Sequence, residues 1–206
     1  MKRPAKNHKA RKANSGPNRG LSKVRIIGGQ WRRRMLPVHD AEGLRPTGDR
    51  IRETLFNWLT AEIHGRRCLD LFAGTGALGL EALSRGAEFV QFIEKHQQAA
   101  HQLKDNLLNL KAPNASWQLH HGDTLQWLEQ TKEKGFDLVF LDPPFAADLW
   151  QQTLDALINK QLLANEALIY VESPNETKIQ APSGFSIHKQ LKAGSVDVQL
   201  YRFNNT

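Results

Sequence analysis

The chain has 206 residues, 40% hydrophobic and 24% charged, with a net charge of +7 and one cysteine. That length suits one domain with an appendage. The lone Cys68 excludes an internal disulfide and a multi-cysteine metal site and fits a reducing cytoplasm, and no apolar run approaches the roughly 18 residues of a membrane span. The basic start lacks the apolar core of a secretory signal. Residues 1–34 hold 12 Lys and Arg and no Asp or Glu, whereas the remainder carries 16 against 21, a net −5. A basic arm on a mildly acidic body is an electrostatic pattern for phosphates. An anionic membrane surface is the competing partner, but the arm has no apolar face to insert.

Residues 1–22 are basic and nearly devoid of large apolar residues, so a disordered tail is expected there. Val24–Ile27 and Met35–Val38 are short apolar runs around Gly28-Gly29 and Arg32-Arg33-Arg34. They predict a β-hairpin extension over 23–44 with an exposed basic middle. Trp31 beside the arginines suits either a stacked base or a covered hydrophobic edge. A helix over 49–62 follows, capped by Thr47 or Asp49, with Ile51, Leu55, Trp58 and Leu59 on one face. Arg45, Arg50 and Arg52 cluster at its start, where a ligand contact and a solvated face are both open readings.

Residues 45–206 form the expected main domain. Strands are predicted at Cys68–Phe72, Phe89–Glu94, Ser116–His120, Phe136–Asp142 and Ala167–Glu172, with helices at about 77–85, 96–110, 123–132 and 148–160. Such alternation gives an α/β fold with a parallel sheet covered on both faces. The last two strands, Phe185–Leu191 and Val196–Phe203, flank a Gly turn and form an antiparallel hairpin. Cys68, at the start of an apolar strand, reads as a buried, inert thiol.

Three acids fall at successive strand ends. Asp70 precedes a glycine-rich turn, Ala73-Gly74-Thr75-Gly76-Ala77-Leu78-Gly79, which opens a helix. The spacing also matches a dinucleotide fingerprint, but Asp70 would repel a pyrophosphate and favour a cationic ligand. Glu94 stands where an acid can grip ribose hydroxyls. Asp123 can accept from an adenine amino group or cap the next helix. His120 and His121 would point apart in a strand, so no paired metal site is expected.

The turn Asp142-Pro143-Pro144-Phe145 ends the apolar run 138–141. Proline cannot continue the ladder, so the chain leaves the sheet there in a rigid turn. It offers a carboxylate, a prolyl carbonyl and an aromatic face, which together suit a nucleobase with an exocyclic amino group. A strand stop with Phe145 plugging the core is the plainer reading of the tetrapeptide alone.

The motifs VRIIGGQWRRRMLPV, RPTGDRIRETLFNWL, DLFAGTGALGLEALSRGA and FDLVFLDPPF resemble the RsmD family of bacterial 16S rRNA guanine-N2 methyltransferases, over about residues 22–203. The resemblance implies a Rossmann-like class I methyltransferase fold: a mostly parallel seven-stranded sheet with a C-terminal antiparallel hairpin. It implies S-adenosyl-L-methionine held by Asp70, Phe72, Gly74, Gly76, Glu94, Asp123 and Asp142. It places a target guanine, position 966 of 16S rRNA, at the catalytic Asp142, Pro143 and Phe145. Arg32, Arg33, Arg34, Arg45 and Arg50 would contact RNA. The implied partner is the 30S subunit or its assembly intermediate, in the bacterial cytoplasm; a monomer is expected from the lack of an obvious exposed apolar stripe, and no metal is expected. Many amino-methyltransferases have Tyr where this chain has Phe145, which keeps the stacking face and loses a hydroxyl.

Other classes stay open on the sequence alone. A DNA adenine-N6 methyltransferase shares the chemistry but usually carries a target-recognition region, for which there is little room. A protein glutamine methyltransferase usually has Asn-Pro-Pro. A nicotinamide-dependent dehydrogenase fits the glycines but not Asp142–Phe145. A non-catalytic rRNA-binding assembly factor leaves the strand-end acids without a purpose.

Overall fold

The computed structural model describes residues 22–38 and 48–204, so the expectations for the tail, Thr47 and Arg45 lie outside the described residues. Two strands, β1 (Ser22–Arg25) and β2 (Met35–Val38), pair antiparallel. After α1 (Asp49–Trp58) the chain alternates through β3 (Arg67–Asp70), α2 (Ala77–Ser84), β4 (Phe89–Glu94) and α3 (Gln97–Asn109). It continues through β5 (Trp117–His121), α4 (Thr124–Gln130), β6 (Phe136–Leu141), α5 (Trp150–Asn159) and β7 (Leu163–Pro174). The hairpin β8 (Phe185–Ala193) and β9 (Val196–Phe203) completes the fold.

The seven-stranded sheet runs in the order β5-β4-β3-β6-β7-β9-β8. Its first five strands are parallel, and β9 is antiparallel to both β7 and β8. From β3 the chain fills one side of the sheet, then returns to place β6 on the other. The order therefore reverses between β3 and β6, and the carboxyl ends of these two strands border the crevice where α/β proteins bind ligands.

Period-two alternation divides the core into two layers. Cys68, Phe92, Leu138, Phe140 and Tyr170 face one layer, together with the N-terminal hairpin and helices α1, α2 and α3. Leu69, Ile93, Val139, Leu141 and Val171 face the other, against α4 and α5. Burial of both faces explains why these strands read as continuous apolar runs. Cys68 is fully buried, and desolvation pushes its thiol well above the ordinary range.

Several details depart from the sequence expectation. Helix α1 stops at Trp58 rather than 62, and its N-cap is Gly48, with no side-chain cap. Asp49 pairs instead with Arg25 at 2.9 Å and with Arg52. A solvated face does not describe Arg52: only 1% exposed, it donates to the Arg25 carbonyl at 3.0 Å and to Asp49, tying α1 to the hairpin. Strand β7 outruns its predicted span because Leu163 pairs with Phe136 at one end and Pro174 with Val196 at the other.

Candidate active site

Asp70 closes β3, and its carboxylate accepts the Gly79 amide of α2 at 3.0 Å. Burial pushes this carboxyl up to about 7; the Gly79 hydrogen bond opposes the rise and the nearby Glu94 charge adds to it. The intervening loop turns back through left-handed backbone at Gly74 and at Gly76, the N-cap of α2. Gly79 has a packing role. A Cβ there would lie 2.1 Å from the Phe92 ring, so glycine lets α2 settle on the sheet. Phe72, half-buried, packs against the core layer under α4 and α5.

Glu94 closes β4 and is 4% exposed. One of its oxygens accepts the Gly74 amide and the other the His96 amide, both at 2.6 Å. The carboxylate is thereby fixed before any ligand arrives, and each oxygen keeps a second lone pair for a hydroxyl. The Gly122 amide donates to the Glu94 carbonyl at 3.0 Å, which brings the next strand end into the same assembly. Asp123 caps α4 by accepting the amides of Leu125 and Gln126 at 3.0 and 3.3 Å. Its other oxygen takes Lys95 at 3.1 Å, and this lysine is the main reason its pKa lies below the usual carboxylate range. Three acids at the ends of β3, β4 and β5 form a donor-poor, acceptor-rich rim. That chemistry fits a ligand carrying a cationic amine, a ribose diol and an exocyclic amine.

At the end of β6 the chain exits through Asp142, half-buried, and Pro143, buried. Pro144 and Phe145 are exposed, and Phe145 begins a short 3-10 turn. At 42% exposure Phe145 does not plug the core. Its ring centroid lies 6.0 Å from that of the buried Trp150, whose indole nitrogen donates to the Glu172 carbonyl at 2.7 Å. The turn thus leans on a fixed aromatic while leaving a ring face to solvent. Since Asp70 pairs with Phe140, Asp142 lies just beyond the neighbouring strand end.

The basic residues are divided. Arg32, Arg33 and Arg34 are exposed on the turn between β1 and β2, and Arg50 is exposed in the first turn of α1. The hairpin turn is docked on the far end of α2: the Trp31 amide donates to the Ser84 hydroxyl at 3.0 Å and the Gln30 amide to the Ser84 carbonyl at 2.7 Å. Eight residues of helix put that docking point about 12 Å from the glycine loop. Trp31 is half-buried and packs against the core, as the covered-edge reading expects.

Sequence reasoning passed over Glu81, which is fully buried and accepts the amides of Ile27 and Gly28 at 2.7 and 2.8 Å. An acid within the apolar run of α2 was the available signal. It also assigned no role to Glu172, although an acid ending an apolar strand is the pattern that singled out Glu94.

A family model described as "Conserved hypothetical protein 95" matches residues 24–202. The ribosomal RNA small subunit methyltransferase D of Escherichia coli strain K12 is 48% identical over 184 residues, covering 89% of this chain and 91% of that protein. Its namesake from Haemophilus influenzae is 46% identical over 180 residues, covering 87% and 93%. The solved structure of yhhF from Escherichia coli superposes with a TM-score of 0.83 at 44% identity, covering 90% of this chain and all of that one. The class I fold, the acid-lined glycine loop and the match across nearly the whole described chain converge, and the protein belongs to the RsmD family of methyltransferases.

Proposed function

We propose that this protein transfers a methyl group from S-adenosyl-L-methionine to the exocyclic N2 of a guanine in small-subunit ribosomal RNA, guanine 966 by the family resemblance. The observation that carries the reading is the turn Asp142–Phe145, set across the switch point from the acid-lined glycine loop. The names of the similar proteins from Escherichia coli and Haemophilus influenzae support ribosomal RNA as the substrate class.

Asp70, Phe72, Gly74, Gly76, Glu94, Asp123 and Asp142 are the residues assigned to the cofactor, which supplies an electrophilic methyl on a sulfonium. Asp70 faces its cationic amine, Glu94 its ribose hydroxyls and Asp123 the adenine edge. An exocyclic guanine amine is a poor nucleophile because its lone pair is delocalised into the ring. Asp142 and the Pro143 carbonyl accept its two N–H groups, which favours a more tetrahedral nitrogen aimed at the methyl. Stacking on Phe145 contributes about 1–3 kcal/mol, which offsets the few kcal/mol of unstacking the nucleotide. Alignment then supplies most of the acceleration. Asp142 takes the proton that the amine gives up. Phe145 has no hydroxyl and carries no proton chemistry.

Arg32, Arg33, Arg34, Arg45 and Arg50 bind phosphates. With the hairpin turn a helix length from the glycine loop, its three arginines position RNA remote from the target base rather than touching that base. The substrate is the 30S particle or its assembly intermediate, met by a monomer in the cytoplasm, without a metal.

The test is methyl transfer from labelled S-adenosyl-L-methionine to small-subunit particles lacking the modification, with free 16S rRNA and DNA alongside. Label on N2 of one guanine in the particle is the expected result. Label on adenine or DNA overturns the substrate while keeping the site chemistry.

A further inference from the structure

Beside the half-buried Asp142 stands a buried acid, Glu172. Leu141, the last residue of β6, pairs with Val171 of β7, so Asp142, one step past the end of β6, lies beside Glu172, which sits within β7 two residues before its end, on a strand about 4.8 Å away. Glu172 is 6% exposed and accepts the Tyr170 hydroxyl at 2.6 Å. The same residue is held through its backbone, since its carbonyl takes the Trp150 indole at 2.7 Å and Trp150 also supports Phe145. Tyr170 is pushed well above its ordinary pKa by burial first, then by the charges of Glu172 and Asp142. Its phenol therefore stays a hydrogen-bond donor, and both carboxylates lie close enough for it to feel them.

We infer that Glu172 is a positioning residue of this active site: fixed by Tyr170 and Trp150, it sets a second carboxylate beside Asp142 and makes Asp142 the better proton acceptor. The inference rests on the reading that an exocyclic amine is methylated at Asp142. In that step the amine nitrogen forms a bond to the methyl carbon, and the carbon–sulfur bond breaks with its electron pair going to sulfur. The proton released from nitrogen passes to the Asp142 carboxylate. Like charges at close range disfavour double ionisation, so one acid of a pair binds its proton more tightly than a solitary carboxylate does. The Tyr170 donor favours the charged form of Glu172, which leaves the raised proton affinity to Asp142. The groups around the pair include Tyr170 on β7 and, across from β6, Asp70 of β3 opposite Phe140. Helix α5 brings Trp150, and β9 brings Val198 opposite Glu172 with Asp197 one step on.

The experiment measures kcat against pH on modification-free small-subunit particles for the native enzyme, Glu172→Gln and Glu172→Asp, with S-adenosylhomocysteine affinity by calorimetry. Glu172→Gln is expected to move the acidic limb of the profile down by about one pH unit or more, with cofactor-product affinity within twofold of native. Glu172→Asp, which keeps a carboxylate on that strand, returns the limb toward its native position. If the Gln variant binds S-adenosylhomocysteine as the native protein does and its acidic limb stays in place, the inference is overturned. It is overturned as well if the Asp and Gln variants lose activity alike with the native pH profile. Absence of guanine methylation by the native enzyme overturns the underlying reading instead, so the two failures are distinguishable.

Discussion

Glu81 accepts the Gly28 amide at 2.8 Å across 53 residues of sequence, binding the N-terminal hairpin to the helix that the glycine loop opens. The acid also takes the Ile27 amide and pairs with Arg85 at 2.6 Å, so a fully buried charge has all its partners. The hairpin and α2 are therefore tied together by buried hydrogen bonds. On the proposed reading, RNA phosphates bound at Arg32–Arg34 would be held in register with the methyl-transfer site.

Replacing Glu81 with Ala leaves two amides and a guanidinium without their acceptor, and the expected loss is about 3 kcal/mol of stability. Thermal unfolding should show it. At a temperature where the variant stays folded, particle binding should weaken more than S-adenosylhomocysteine binding. Gly29→Ala probes the same latch sterically: φ is 73° and an added Cβ would lie 1.8 Å from the Ser84 carbonyl oxygen. By contrast Gly194→Ala, at φ 62° with open space around it, should cost only about 1–2 kcal/mol. Equal losses at the two glycines would mean that the hairpin is not latched to α2 in this way.

On the proposed mechanism, Asp142→Ala removes the amine's acceptor and proton sink. Turnover should fall by about 10²–10⁴-fold, while S-adenosylhomocysteine affinity by calorimetry stays within a few-fold of native. Retained turnover would take the catalytic role from Asp142.

Asp70 predicts a proton-linked cofactor. Its carboxyl is raised to about 7 by burial, so the ligand-free protein carries it largely neutral at pH 6. A cationic ligand requires the charged form, so affinity should increase from pH 6 to pH 8, with proton release at the lower pH. For stability the sign is opposite. An acid whose folded pKa lies above its unfolded value of about 4 weakens the fold as pH rises between the two values. Asp70→Asn should flatten the affinity profile and weaken binding. Calorimetry in buffers of different ionisation enthalpy measures both, and a pH-independent affinity in the native protein would contradict the assignment.

The arginines of the hairpin turn are exposed, so their contribution is electrostatic. Each substitution of Arg32, Arg33 or Arg34 by Ala should reduce the slope of log K against log salt by about 0.7–0.9, with kcat at saturating particle little changed. A fall in kcat with an unchanged slope would place these residues at the chemistry instead.

Much of this protein was determined by local sequence. Apolar runs ending in Asp70, Glu94 and Asp142, with glycines after the first and prolines after the last, identify strand ends and loops, because sheet exit and tight turns demand particular residue types. The order β5-β4-β3-β6-β7-β9-β8 is not written in any one segment; the resemblance implied a mostly parallel seven-stranded sheet with a terminal hairpin, and strand pairing sets the order. Tertiary packing alone decided the fates of Arg52, Glu81 and Glu172. Each charged residue looks solvent-facing or incidental in its own segment, yet it is buried: Arg52 donates to the Arg25 carbonyl and Glu81 accepts the Ile27 and Gly28 amides across the fold, while Glu172 accepts the hydroxyl of Tyr170 on its own strand. A buried charge is tolerable only where such partners converge, and convergence across 27 or 53 residues is a property of the folded chain rather than of the local pattern.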